Sequence, residues 1–85
     1  MFDVNQFTII GKFLKLESYR NTTFLYLKID NNIIIKFVIN KGIQERLALF
    51  CLDNETMAIK GYISSDSRKN ILLYATKLFF LSDKH

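Results

Sequence analysis

The run from Thr22 to Asn40, TTFLYLKIDNNIIIKFVIN, leaves fewer conformational options than any other stretch of the chain. Two segments rich in β-branched and aromatic residues flank Asp30-Asn31-Asn32, and Asn and Asp tolerate the left-handed backbone that a tight turn demands. The pattern predicts a β-hairpin. In its first strand Leu25, Leu27 and Ile29 alternate with Phe24, Tyr26 and Lys28, so one face is aliphatic and the other carries two rings and an ammonium. A three-residue loop sets Ile29 opposite Ile33, Leu27 opposite Ile35 and Leu25 opposite Phe37, and gathers Tyr26, Lys28 and Lys36 on the far face. A two-residue loop of Asn31-Asn32 turns Lys36 to the aliphatic side unless a bulge rescues it. There an unpaired ammonium is strongly penalised or must lose its proton. Three residues is the expected loop, and the expected outer face is basic and aromatic.

Upstream, residues 5–16 (NQFTIIGKFLKL) read as a long strand in which Phe7, Ile9, Gly11 and Phe13 alternate with Thr8, Ile10, Lys12 and Leu14. A glycine inside such a run marks a bulge or sharp bend, which a strand curling round a barrel needs. Residues 17–22 are polar and turn-like, with Tyr19 and Arg20 at their middle. Downstream of the hairpin, Asn40 is placed to cap a helix whose apolar residues Ile43, Leu47, Phe50 and Cys51 recur at helical spacing. Leu49 and Leu52 widen that stripe, and the helix is expected to end near Asp53-Asn54. Residues 56–64 alternate again, with Met57, Ile59, Gly61 and Ile63 on one side and Ala58, Lys60 and Tyr62 on the other. Residues 64–70 have the composition of an exposed loop, and ILLYATKLFFL closes the series with Leu73 and Ala75 inward and Leu72, Tyr74 and Thr76 outward. Phe79 and Phe80 are expected to cover a barrel end or an oligomer contact, and the last four residues to fray.

The predicted order is strand, strand, strand, helix, strand, strand. So short a sheet leaves vulnerable edges unless it closes, and a helix between strands three and four that plugs a five-stranded barrel is the arrangement of the OB-fold. With 85 residues, 49% of them hydrophobic, residues 1–85 are expected to form a single such domain. The lone Cys51 excludes an internal disulfide, and no segment reads as a leader or membrane span, so the expected location is the cytoplasm. The net charge of +4 suits a polyanionic partner. Lysine is inflated together with Ile, Asn and Phe, however, so where each lysine stands matters more than the total.

Catalysis requires titratable groups in company, and here they stand apart. His85 is the only histidine, Cys51 lies on the apolar stripe of a helix without a base, the acids are scattered, and no phosphate-cradling glycine motif occurs. No enzyme, no metal and no cofactor is expected. Binding fits better. Barrels of this kind hold single-stranded nucleic acid on the face of strands two and three, between the loops joining strands one to two and four to five. That face carries Phe24, Tyr26, Lys28 and Lys36; the loops carry Tyr19 with Arg20 and Arg68 with Lys69; Lys12, Lys60, Tyr62 and Tyr74 extend the surface. Rings offer stacking platforms to any base while ammonium groups neutralise phosphates. A protein-interaction module of a replication or primosome assembly, docking through the same rings, is the alternative class.

Several segments together resemble the bacterial single-stranded DNA-binding protein (SSB) family: FTIIGKFLKL its opening strand, TTFLYLKI its second, and IIIKFVINKGIQERLALF its third strand and helix. MAIKGYISSDSRKNILLYATKLFFL is similar to its glycine-centred strand, basic loop and closing strand. The resemblance implies an OB-fold that binds single-stranded DNA without strong sequence preference, RNA being open, in replication, recombination or repair. It also implies a homodimer or homotetramer, often formed through the first strand. Lys12 stands at the family's basic position after the first glycine, Arg68 near that of a loop aromatic, and Ile33 near that of a stacking tryptophan. There is no Trp here, so stacking falls to Phe24, Tyr26, Tyr19 and Tyr62. The sequence stops at Ser-Asp-Lys-His, and the expectation is a short member without the family's acidic tail.

Overall fold

The computed structural model describes residues 5–30, 33–51 and 53–81. Its elements are β1 (Gln6–Tyr19), β2 (Thr22–Lys28), β3 (Ile34–Ile39), α1 (Lys41–Phe50), β4 (Thr56–Ser65) and β5 (Ile71–Phe80). They close into a barrel in the order β1-β2-β3-β5-β4, with β3 and β5 parallel and the other neighbours antiparallel. Every strand of a closed barrel has two neighbours, and one long enough can give each neighbour a different half of its length. The 14-residue β1 does so, pairing with β4 over Gln6–Lys12 and with β2 over Lys12–Tyr19.

The hairpin register is the one that the lysines demanded. Leu25 pairs with Phe37, Tyr26 with Lys36 and Leu27 with Ile35, and the Ile29 N–H donates to the Ile33 carbonyl at 2.8 Å. Leu25, Leu27 and Phe37 are wholly buried and join Met57, Ile59 and Leu78 in the barrel interior. The turn's own Asn31 and Asn32 lie outside the described residues. Helix α1 closes one side of this core with Ile43 and Leu47. The Asn40 side chain caps it by accepting from the Ile43 N–H at 2.8 Å, and the Arg46 guanidinium ties it to β5 through the Leu78 carbonyl.

Four sequence expectations need correction. Gly11 is not a bulge. It pairs regularly with Met57, and the register shift falls at Leu14, between Phe13 and Lys15. Gly11 serves close approach, since a Cβ there would lie 2.9 Å from Ile29 Cδ1 and 3.0 Å from the Lys28 carbonyl oxygen. The segment from Glu17 to Tyr19, expected in a turn, continues β1, and the turn itself is only Arg20-Asn21 with Arg20 at φ 56°. The helix stops at Phe50, where Cys51 turns extended, not near Asp53-Asn54. In consequence Phe50 and Leu49 are 52% and 75% exposed instead of core-facing, and Leu52 lies outside the described residues. Ile63 keeps its expected side of β4 but is also exposed, close to the strand's end.

Candidate functional site

Across β2 and β3 the outward positions are Phe24, Tyr26 and Lys28 facing Val38, Lys36 and Ile34. The Lys36 ammonium lies 4.8 Å from the centre of the Phe24 ring, at cation–π distance, which holds a flat apolar surface and a positive charge side by side. The bulge at Leu14 then alters what β1 contributes. With one residue skipped, Lys15 pairs with Tyr26 and Glu17 with Phe24, so both join this outer face. The Lys15 ammonium sits 4.8 Å over the Tyr26 ring and 3.7 Å from the Glu17 carboxylate. The Tyr26 hydroxyl donates to Glu17 Oε1 at 2.8 Å. Sequence reasoning missed Lys15 and Glu17 because it carried a strict alternation through residue 14. The signal was present in the cations Lys12 and Lys15, which are three apart and so cannot share a face in an unbroken strand.

The hydrogen bond from Tyr26, and then the charge of Lys15, hold the Glu17 carboxyl below the usual carboxylate range. The same bond pushes the Tyr26 phenol above its ordinary value. Both side chains are solvent-facing, so the pair orients the ring more than it stabilises the fold.

Two loops bound the face at opposite ends. The β1–β2 turn, with Tyr19 and Arg20, adjoins the start of β2 and therefore the end of β3, because Thr23 pairs with Ile39. The Arg20 guanidinium lies over the Tyr19 ring at 5.3 Å. The β4–β5 loop lies at the other end, because β5 runs parallel to β3. It is built on Asp66, whose Oδ1 accepts from the backbone N–H groups of Arg68 and Asn70 at 2.8 and 3.0 Å and whose Oδ2 accepts from the Asn70 amide. Those bonds, the Asn70 N–H first, hold the Asp66 carboxyl below its usual range. Lys69, at φ 64°, sits at the tip beside Arg68. Between this loop and the hairpin lies a groove of about 240 Å³ lined by Phe24, Ile34, Lys36, Val38, Ile71 and Leu72.

Of the residues singled out in the sequence, Tyr19, Arg20, Phe24, Tyr26, Lys28, Lys36, Arg68 and Lys69 fall on this one track. Lys12 borders it, directly opposite Lys28 on the neighbouring strand. Lys60 does not belong to it. Lys60 pairs with Thr8 and Lys77 on β4, which is the strand farthest round the barrel from the β2–β3 pair. Tyr62 is stacked on Tyr74, with ring centres 5.2 Å apart and planes within 9°, and Tyr74 adjoins Val38 of β3. That pair stands at the edge of the face.

Cys51, half-buried, has its thiol pushed up to about 11, first by burial and then by Glu55 and Asp53, so at neutral pH it is no nucleophile. Among the described residues no group of three or more His, Cys, Asp or Glu is placed to hold a metal ion. Nor is any helix among them long and apolar enough to cross a membrane.

No protein-family model matches the chain, and no curated protein matches it in sequence. Solved structures do match in shape. The mitochondrial single-stranded DNA binding protein Rim1 from S. cerevisiae superposes with a TM-score of 0.75 at 8% identity, over 98% of this chain and 99% of that one. A chain of the S. pombe Stn1-Ten1 complex gives 0.74 at 16% identity over 96% of this chain, which spans 62% of its length. The dimeric N-terminal domain of PriB from Thermoanaerobacter tencongensis gives 0.70 at 18% identity, over 95% and 100%. At such identities the likeness establishes the fold: this barrel is an OB-fold.

Proposed function

We propose that the protein binds single-stranded DNA without strong sequence preference, holding it along the β2–β3 face between the β1–β2 turn and the β4–β5 loop. One observation carries the reading: the hairpin register sets rings and ammonium groups together on a single outer wall, with Phe24 beneath Lys36 and Tyr26 beneath Lys15. A base stacking on either ring takes the face that the ammonium covers, and the displaced ammonium stays within reach of that nucleotide's phosphate. The two loops add Arg20, Arg68 and Lys69 where the strand would enter and leave. The similar structures Rim1 and PriB, the first a mitochondrial single-stranded DNA binding protein, support the reading by analogy. Replication or repair is the setting that such proteins suggest.

The aliphatic groove beside Phe24 favours a second reading, in which the same face docks a partner protein. Titration of labelled oligothymidine at two salt concentrations separates the two. DNA binding predicts affinity that falls steeply with salt, by a log-log slope of about 0.7 for each phosphate neutralised. Phe24→Ala and Tyr26→Ala should each weaken binding by about tenfold, the scale of one lost stacking contact, with the melting temperature nearly unchanged. Absence of binding at low salt, with the protein folded, leaves the docking reading in its place.

A further inference from the structure

A second cationic cleft lies on the wall formed by β4, β5 and the first half of β1. Lys60 of β4 and Lys77 of β5 stand directly opposite one another, with Thr8 of β1 on the other side of Lys60. Together with Gln6, Gly61 and Thr76 they line a cleft of about 400 Å³. The crowding of charge has a local cause. At the register shift between Lys60 and Gly61, β5 carries one extra residue, so Thr76 and Lys77 are both exposed between the buried Ala75 and Leu78. Like charges directly opposed across strands destabilise a sheet. No carboxylate on this wall relieves them, since β4 and β5 contain none and the only acid of β1, Glu17, lies beyond its bulge on the front face; the one contact offsetting the charge among the described residues is the Phe79 ring, 5.9 Å from the Lys60 ammonium. Among the described residues neither lysine has a carboxylate within ion-pair distance.

A second copy of the chain is a poor occupant, because a two-fold contact centred on the cleft would set one lysine pair against the other. An anion is a good one, and the fold leads one there. Phe24, Val38, Tyr74 and Tyr62 are consecutive cross-strand neighbours on the outer surface, and Lys60 lies two residues from Tyr62 on the same face of β4. A strand leaving the front face thus meets the stacked tyrosines and then the two ammonium groups.

We propose that this cleft is a second phosphate-binding site, which takes the backbone of a single-stranded nucleic acid continuing from the β2–β3 face over the Tyr62–Tyr74 pair. The proposal rests on the function proposed above and extends it round the barrel. Its test compares labelled oligothymidines of about 6 and about 16 nucleotides, one near the short end and one at the long end of the roughly 4–16 that one OB-fold covers. The Lys60→Gln/Lys77→Gln double variant alters two exposed side chains and removes their mutual repulsion, so it should melt no lower than the parent. It is expected to bind the short oligonucleotide as the parent does and the long one about tenfold more weakly, with a salt slope shallower by about 1.4, the share of two phosphates. Unchanged affinity for the long oligonucleotide overturns the proposal while leaving the front face intact. Equal losses on both lengths also overturn it, by marking a general effect of charge. A parent protein that binds neither length removes this site and the front face together.

Discussion

Tyr26 shows how one side chain can be steered by a charge that binding would otherwise exclude. Glu17 places a carboxylate on a surface meant for phosphates, yet it holds the Tyr26 hydroxyl and draws Lys15 over the ring. Glu17→Gln keeps an acceptor for the hydroxyl and removes the charge, so oligothymidine affinity should rise by about two- to fivefold at low salt, the scale of one exposed charge interaction. The same substitution has a spectroscopic signature. The Glu17 contact favours the protonated phenol, so in the parent one of the four tyrosines should ionise later than the ordinary value of 10.0, and in Glu17→Gln, which keeps the bond and loses the charge, that lag should shrink. The sign for stability follows. The raised phenol contributes fully below pH 10.0 and is lost as pH rises through the folded value, whereas the depressed Glu17 contributes above 4.5 and is lost as pH falls through its own. An ultraviolet pH titration of both proteins checks the first arm. Only the three-residue spacing of Lys12 and Lys15 hinted at this in the sequence, because one bulged residue brings Lys15, and Glu17 from the expected turn, to the front. By contrast Lys36 was legible, since its charge could occupy only one face of the hairpin.

At the level of strands and helix, two glycines and one cap carry most of the geometry. A Cβ at Gly61 would collide with the Tyr74 carbonyl oxygen, a backbone atom that cannot step aside, and would come within 2.9 Å of Phe7 Cζ. Gly61→Ala should therefore lower the melting temperature by more than about 10 °C, given that each kcal/mol shifts a domain of this size by roughly 4–8 °C. Gly11→Ala meets the movable end of Ile29 as well as the Lys28 carbonyl, and should cost about 1–3 kcal/mol, the usual scale of overpacking. Asn40→Ala removes the acceptor of the Ile43 N–H and should cost about 1 kcal/mol. Thermal melts of the three variants rank them in that order. The succession of elements along the chain, the hairpin register and the helix cap could be read from residue patterns because each depended on near neighbours in sequence. The end of α1 could not. Its apolar run continues past Phe50, yet Cys51 already turns extended and the Glu55 carbonyl, four residues on, accepts from the Phe13 N–H of β1, a long-range contact that no helical periodicity announces.

For the molecule as a whole, closure decides which cations act together. Lys60 alternates with Tyr62 in the sequence just as Lys28 does with Tyr26, yet the order β1-β2-β3-β5-β4 sends the first pair to the rear wall and edge and the second to the front. No local pattern carries that information, so the sequence reading merged two surfaces into one. The front surface is the centre of the account, and amide shifts on titrating the protein with a short oligothymidine of about 6 nucleotides test it most directly. The prediction is a contiguous set of shifts on β2, β3, Tyr19, Arg20 and the Arg68–Lys69 loop, with α1 and the Lys60–Lys77 wall quiet. Shifts gathered on α1 or the rear wall, or none at all at low salt, would contradict it.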